Sequence, residues 1–319
     1  METSCPVCEG KRFSSLFLAR DYITHLAFAV ARCDACRLVQ VNPQPAVDEL
    51  GRFYPELYYG EQPFFYEKVD AASRFRQVSR QVKAGDRVLD VGCGRGLVLA
   101  KLRARGCEVV GTELSAHSSK YAREQLGLEI LQKKLVDCTF PDNAFDCITL
   151  FHSLEHLPVP SHELQELRRI VKPGGKVLVE VPRFDSFYSK IFRDKWFHLD
   201  VPRHLYHFED DTLLSLLEQG GFEVIEVKKY DFMYDSFGAV QSLLNCVCSE
   251  FNLLNDLNTK RKSMGDLFRM GTRRQKADVV LSLAGQVILY PLFVLLAFAL
   301  APFNVGGTLR VWARKRLAD

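Results

Sequence analysis

Val88-Leu89-Asp90-Val91-Gly92-Cys93-Gly94-Arg95-Gly96 decides the fold of this chain. Its first part, Arg87 to Val91, reads as a short apolar strand, and Leu97 to Arg105 has helical spacing. A strand that turns through glycines into a helix opens a crevice at the carboxyl end of a sheet. Glycine lets the backbone approach a ligand there, and the first N–H groups of the helix point at its anionic part. Glu113 closes a second strand, Glu108 to Thr112, about twenty residues on, where a carboxylate accepts protons from both hydroxyls of a ribose. The glycines alternate strictly at 92, 94 and 96 with an acid two residues upstream. A dinucleotide oxidoreductase would carry Gly-x-Gly-x-x-Gly at its pyrophosphate, so the spacing argues against one.

Outward from this turn the pattern repeats strand, turn and helix. Ala116 to Leu126 reads as a helix, Glu129 to Leu131 and Phe145 to Leu150 as strands. His162 to Val171 is a helix with Leu164, Leu167 and Ile170 on one face, stopped by Pro173-Gly174-Gly175, and Lys176 to Val181 is the next strand. After an interruption from Pro182 to His207 come a helix, Asp211 to Glu218, and a strand, Phe222 to Val227. The final strand is placed at Thr308 to Ala313. Such alternation requires right-handed crossovers, hence an α/β, doubly wound sheet of parallel strands with helices on both faces.

Leu89 to Gly96 resembles motif I of class I S-adenosylmethionine-dependent methyltransferases. Gly111-Thr112-Glu113-Leu114-Ser115 is similar to their ribose-binding acidic turn. Phe145-Asp146 with Leu154-Glu155-His156-Leu157, and Val171-Lys172-Pro173-Gly174-Gly175-Lys176, are similar to their fourth-strand region and the turn before the fifth strand. The resemblance covers residues 84 to 230 and implies a Rossmann-like, seven-stranded methyltransferase sheet with S-adenosylmethionine as cofactor. It implies a cofactor site of Asp90, Gly92, Cys93, Gly94, Gly96, Glu113, Leu114, Asp137 and Phe151, with the methionine part near Asp90, Gly92 and Gly94. The ribose hydroxyls fall to Glu113 and adenine to the neighbourhood of Leu114. One departure stands out: many relatives have Gly-Asp where this chain has Lys133-Lys134, which leaves Asp137 as the substitute for the polar adenine contact.

His152 and His156 follow the fourth strand beside the switch point of the sheet, where each is a structural hydrogen-bonder or a general base. Trp196 to Phe208 holds His198, Arg203, His204, Tyr206 and His207, a run hard to explain as core and similar to a substrate-side loop in one branch of these enzymes. The expected catalytic set is therefore His152, His156, His198, His204 and Tyr206. Metal binding by His198, His204 and His207 is the lesser alternative. Methyl transfer is an in-line displacement at a sulfonium, so it needs positioning and, for an OH or NH acceptor, a base.

Four of the ten cysteines form two Cys-x-x-Cys pairs, Cys5 with Cys8 and Cys33 with Cys36. Two such knuckles form a tetrahedral thiolate site for a structural Zn²⁺, so residues 1 to 44 read as a zinc ribbon. Polar residues such as Glu9 and Asp21 lie where a secretory core would have to be, so a reducing, cytoplasmic setting is expected. Over the same 44 residues Lys11, Arg12, Arg20, Arg32 and Arg37 face Glu2, Glu9, Asp21 and Asp34, which is no basic stripe. No nucleic-acid partner is expected, and the net charge of +3 over 319 residues decides nothing. Residues 45 to 83 read as a helical linker or cap with aromatics at Tyr54, Tyr58, Tyr59, Phe64, Phe65 and Tyr66.

The stretch from Val279 to Phe303 carries no Asp, Glu, Lys, Arg or His. Pro291 divides it into halves too short to cross a bilayer, each about 18 to 20 Å at about 1.5 Å per residue. Since Thr308 to Ala313 must return to the sheet, the segment is expected to enter and return or to lie in the interface. Basic residues flank it on both sides, the cytoplasmic signature, and fit anionic headgroups. Residues 231 to 306 thus read as a helical, membrane-associating insertion, and 84 to 230 with 307 to 316 as the methyltransferase domain. The expected protein is a peripheral or monotopic methyltransferase on the cytoplasmic membrane face, acting on a lipid-linked or envelope-related acceptor. A soluble enzyme for a small metabolite or nucleotide sugar, with the apolar segment as dimer interface, is the second reading. A tail anchor, an RNA methyltransferase and a binding protein are further ones.

Overall fold

The computed structural model describes residues 4–54 and 65–316. Tyr58, Tyr59 and Phe64 of the expected aromatic cap lie outside them, as do the side chains of Phe65 and Tyr66. Two compact units share the chain. One comprises residues 63–181, 211–227 and 310–319, the other residues 1–62, 182–210 and 228–309. This grouping differs from the four parts read along the sequence, because residues 182–210 and 228–309 join residues 1–62 in one unit.

The central unit is built on a seven-stranded sheet. In chain order, the described residues outside the ribbon give α1 (Phe65–Val78), β4 (Arg87–Val91), α2 (Leu97–Ala104), β5 (Glu108–Thr112) and α3 (Ala116–Leu126). There follow β6 (Ile130–Leu131), β7 (Phe145–Phe151), α4 (Pro160–Ile170) and β8 (Val171–Pro182). After the 182–210 excursion, α6 (Asp210–Gln219), β10 (Phe222–Lys228) and β11 (Thr308–Lys315) complete the sheet, whose order is β10-β11-β8-β7-β4-β5-β6. The pairings of β4 with β5 and β7, of β5 with β6 and of β7 with β8 are parallel. Parallel strands are buried on both faces, which is why β4 and the second half of β8 are largely apolar. Val88, Leu102, Cys147, Leu178 and Trp312 meet in one core cluster on this sheet. Thr308 to Ala313 does supply the last strand.

One boundary differs from expectation. The Pro173-Gly174-Gly175 turn does not precede the fifth strand but interrupts it, since Val171 already pairs with Phe145 before Lys176 resumes opposite Cys147. The chain folds back so tightly there that a Cβ on Gly175 would stand 2.8 Å from Val171 Cγ2. Lys172 to Gly175, four residues opposite Asp146 alone, form a bulge rather than a stop.

The other unit carries the ribbon. Its strands β1 (Phe13–Arg20), β2 (Ala27–Cys33) and β3 (Val39–Val41) are antiparallel and take a fourth member, β9 (Tyr206–His207), from the segment expected to be an interruption. That segment also holds α5 (Phe187–Phe192). The remaining elements are α7 (Phe232–Val247), α8 (Leu253–Asn258), α9 (Met264–Met270), α10 (Arg273–Ala284) and α11 (Tyr290–Leu300). Ala19, Val30, Val39, Trp196, Leu199 and Ala239 form its core.

Two expectations are corrected in this unit. Trp196 to Phe208, hard to explain as core from its sequence, is core: Trp196, Arg203, Tyr206 and Phe208 are among the most completely buried large side chains. Burial of the charge is tolerated because Arg203 donates to Asp200 and Asp21, at 2.7 and 2.9 Å, and to the Phe53 carbonyl at 3.0 Å. Pro291 does not break the apolar segment either. A five-residue π turn, Gly285–Leu289, lies just before it, with the Tyr290 N–H bonded to the Gly285 carbonyl, so one helix runs from Arg273 to Phe303. Proline lacks an N–H and crowds the carbonyl four residues back, and widening the preceding turn absorbs both defects.

Candidate active site and cofactor crevice

The sheet order reverses between β4 and β7, and the crevice opens at the carboxyl ends of these strands and of β5. Gly92, Gly94 and Gly96 all take positive φ, at 71°, 54° and 69°. A left-handed turn of this kind excludes side chains, and its three positions differ in what surrounds them. A Cβ at Gly92 would meet Ser153 Oγ at 2.4 Å and one at Gly96 would meet Leu128 Cδ1 at 2.5 Å, whereas nothing lies within 4 Å of a Cβ at Gly94. The outer glycines are therefore packed, and the middle one faces open space.

Glu113 stands across this space at the end of β5. One carboxylate oxygen accepts from Gly94 N–H at 2.9 Å and the other from Ser115 N–H at 2.6 Å. Burial pushes its carboxyl up, opposed by these two backbone N–H groups. Each oxygen keeps a lone pair for a further donor. Asp90 is fully enclosed, accepts from Thr149 Oγ1 at 2.7 Å, and is pushed up by burial to about 7. Cys93 turns its sulfur toward Gly111, where a Cβ would sit 2.6 Å from Sγ, so its side chain packs the strand and only its backbone belongs to the turn. Leu114 and Asp137 are exposed, and Phe151 is buried in the sheet core beneath the Arg74 guanidinium at 4.8 Å.

The expected catalytic residues are divided between the two units. His152 ends β7 with a φ of 51° and meets Glu180 Oε1 at 3.3 Å and Glu155 Oε1 at 3.5 Å. Burial opposes its charge, but the two carboxylates outweigh it and push its pKa up to about 8. It is thereby held as a cation at neutral pH, the wrong state for a general base. His156 lies half-buried one turn further on, in the 3₁₀ segment Leu154–His156. His198, His204 and Tyr206 belong to the other unit and are buried in it. His198 stacks on Tyr234 at 4.0 Å, His204 Nδ1–H donates to the His198 carbonyl at 2.8 Å, and Tyr206 donates to Gln44 at 3.3 Å. His198, His204 and His207 form no common ligand cluster among the described residues.

Sequence reasoning missed an ionic network beneath this site. Glu180 is buried on β8, where it binds Arg310 through both guanidinium nitrogens nearest it and Arg74 at 3.0 Å, while Arg74 also reaches Asp70 at 3.1 Å. The cations hold the Glu180 carboxyl well below the ordinary carboxylate range against the penalty of burial. A single acid inside Val177-Leu178-Val179-Glu180-Val181 was the available signal. Arg95, from the glycine turn, is likewise fixed by Glu67 of α1 at 2.6 Å.

In the ribbon, Cys5, Cys8, Cys33 and Cys36 place their sulfurs within 4.8 Å of one another, and two of the pairs are 3.6 Å apart. These separations far exceed a disulfide bond. They approach the edge of about 3.8 Å expected for four sulfurs about 2.3 Å from a shared Zn²⁺.

An open, largely parallel sheet with a glycine-turned crevice, closed by an acid at ribose height, defines the class of Rossmann-like nucleoside-cofactor enzymes. The chain belongs to the methyltransferase-domain family, whose model matches residues 65–227, and it is an S-adenosylmethionine-dependent methyltransferase. Demethylmenaquinone methyltransferase of Staphylococcus carnosus is 28% identical over 178 residues, covering 48% of this chain and 74% of its own length. Ubiquinone biosynthesis O-methyltransferase of Alkalilimnicola ehrlichii is 37% identical over 102 residues, 30% of this chain and 40% of its own. The crystal structure of the [4+2]-cyclase SpnF superposes with a TM-score of 0.53 at 19% identity, over 86% of this chain and 98% of that one, which is a likeness of fold.

Proposed function

We propose that this enzyme methylates an O, N or C atom of a lipophilic, lipid-linked acceptor at the cytoplasmic face of a membrane. The observation that carries the cofactor part is the Glu113 carboxylate bonded across the open space at Gly94. With S-adenosylmethionine bound, its sulfonium supplies the methyl group and leaves as a thioether. Glu113 holds the ribose hydroxyls, the backbone of the 92–96 turn admits the methionine part at Gly94, and Leu114 with Asp137 flanks the adenine. Asp90, protonated in part near neutrality and anchored by Thr149, orients the turn. Of the two histidines that follow β7, His152 is held by Glu155 and Glu180, and His156, in the 3₁₀ segment Leu154–His156 beside the crevice strands, is assigned as the base that takes a proton from an OH or NH acceptor. The lipophilic acceptor is supported by relatives named for menaquinone and ubiquinone biosynthesis.

The cysteine cluster fits a structural Zn²⁺, with all four positions filled by protein sulfur and none left for chemistry. Incubating membranes, lipid extracts and a water-soluble metabolite fraction with labelled S-adenosylmethionine, followed by mass spectrometry, tests the acceptor. Label in the lipid products is expected, and label confined to water-soluble products would overturn the lipophilic reading. Calorimetry tests the cofactor site, where Asp90→Ala should weaken binding.

A further inference from the structure

The helix from Arg273 to Phe303 leaves a long apolar face uncovered. Its protein-facing stripe carries Asp278, Val279, Ser282, Gly285 and Ala297, all buried, while Val280, Val287, Ile288, Leu292, Leu295 and Phe303 point outward. Asp278 accepts from the Ser249 N–H at 2.9 Å, and Gly285 lets Leu244 and Val240 of α7 approach a would-be Cβ at 3.3 and 3.5 Å. The outer residues are exposed as few apolar side chains are: Val287 by 74%, Leu295 by 67% and Phe303 by 71%. An apolar stripe normally seeks the core, and one left open over this length marks an interaction surface.

The helix does not have the surroundings of a bilayer crossing. It packs along α7 for much of its length, with Phe298 stacked on Phe232 at 3.9 Å and Tyr290 bonded to Met233 at 3.3 Å. Helix α7 buries Asp235, Gln241 and Asn245, which have no place in hydrocarbon. Both ends of the helix also rejoin the same unit. Its start follows α8 and α9, and just past its end the Gly307 N–H donates to Asp235 at 3.0 Å. The outward face, about 36 Å long from Val280 to Phe303, is consequently open along its side.

Charge says what covers it. The segment from Lys260 to Lys276 contains seven basic residues and one acid, Asp266, and it leads directly into the apolar face. Lys260, Arg269, Arg273 and Arg274 are exposed there, beside the exposed Met264, Phe268 and Met270 of α9. A basic end continuous with an uncharged apolar face fits a headgroup layer over acyl chains, and does not fit a second copy of the same positive surface.

We infer that α9 and the outward face of the Arg273–Phe303 helix seat this unit in the plane of an anionic lipid bilayer, the helix lying along the surface without crossing it. The inference deepens the lipophilic-acceptor reading by naming the surface from which such an acceptor would come, yet it stands on this unit's own side chains.

Flotation of the full chain with vesicles tests it. Binding to vesicles of phosphatidylcholine with phosphatidylglycerol should exceed binding to phosphatidylcholine alone and fall with salt. Val287→Asp with Leu295→Asp, both solvent-facing, should abolish flotation while circular dichroism and calorimetric S-adenosylmethionine affinity stay unchanged. Arg269→Ser with Arg273→Ser should weaken anionic binding about 25-fold, at about fivefold per basic residue. The inference is overturned if the chain does not float, if the double aspartate variant floats as well as wild type, or if light scattering shows a dimer that this variant splits while neither form floats. The acceptor reading is judged separately, by labelled products formed from detergent-dispersed lipid.

Discussion

Replacing the three glycines of the 92–96 turn one at a time by alanine separates packing from cofactor contact. All three have φ between 54° and 71°, so each alanine bears the left-handed penalty of about 1–2 kcal/mol. At Gly92 the new methyl would meet Ser153 Oγ at 2.4 Å, and at Gly96 it would meet Leu128 Cδ1 at 2.5 Å and Ala122 Cβ at 3.3 Å. Overpacking of that kind adds about 1–3 kcal/mol, for a total of about 2–5 kcal/mol. In a domain of this size each kcal/mol lowers Tm by about 2–4 °C. Gly92→Ala and Gly96→Ala should therefore melt well below wild type, whereas Gly94→Ala, with nothing within 4 Å, should lose only the backbone penalty. If the space above Gly94 belongs to the cofactor, the same variant should bind S-adenosylmethionine at least about tenfold more weakly, or about 1.4 kcal/mol. Thermal melting and isothermal titration calorimetry on the three variants read both quantities. Gly94→Ala with wild-type affinity, or with the stability loss of Gly92→Ala, would refute the assignment of the crevice.

Other outcomes follow from buried charge and from the ribbon. Glu180→Gln leaves Arg74, Arg310 and His152 without their shared anion, and should cost about 3–5 kcal/mol in denaturant unfolding. His152 titrates at about 8 folded against 6.5 for a free histidine, so its charge stabilises the native state fully below 6.5 and progressively less as pH rises through 8. The loss amounts to about 2 kcal/mol, and it should vanish from the pH profile of urea unfolding in His152→Gln. Metal analysis should find about one zinc per chain, lost in Cys33→Ser together with protection of the ribbon strands from proteolysis. Retention of zinc by that variant would count against the four-sulfur site.

The sheet, its final strand and the cofactor turn were legible in the sequence because each is a local matter. Apolar runs of strand length, glycines at fixed offsets and an acid after the second strand are imposed by the backbone and by the ligand's approach, and need no knowledge of distant residues. The same holds for the two cysteine pairs. Trp196 to Phe208 misled as to burial, because a cluster of histidines, an arginine and an aspartate reads as unlike a core. Only the fold supplies Asp21 and Phe53, which let Arg203 be buried, and Tyr234, on which His198 stacks.

Pro291 misled for a different reason. Its local rule is sound, but a π turn one step earlier satisfies it without ending the helix. What the sequence by itself determined was a Rossmann-like methyltransferase with a cysteine-clasped ribbon and an apolar, basic-flanked segment. The tertiary structure alone decided that β9 joins the ribbon, that Glu180 ties His152 up as a cation, and that the apolar helix faces outward. Those features depend on which residues, far apart in the chain, are brought to share a buried charge or a packing face, and no periodicity along a sequence encodes a partner.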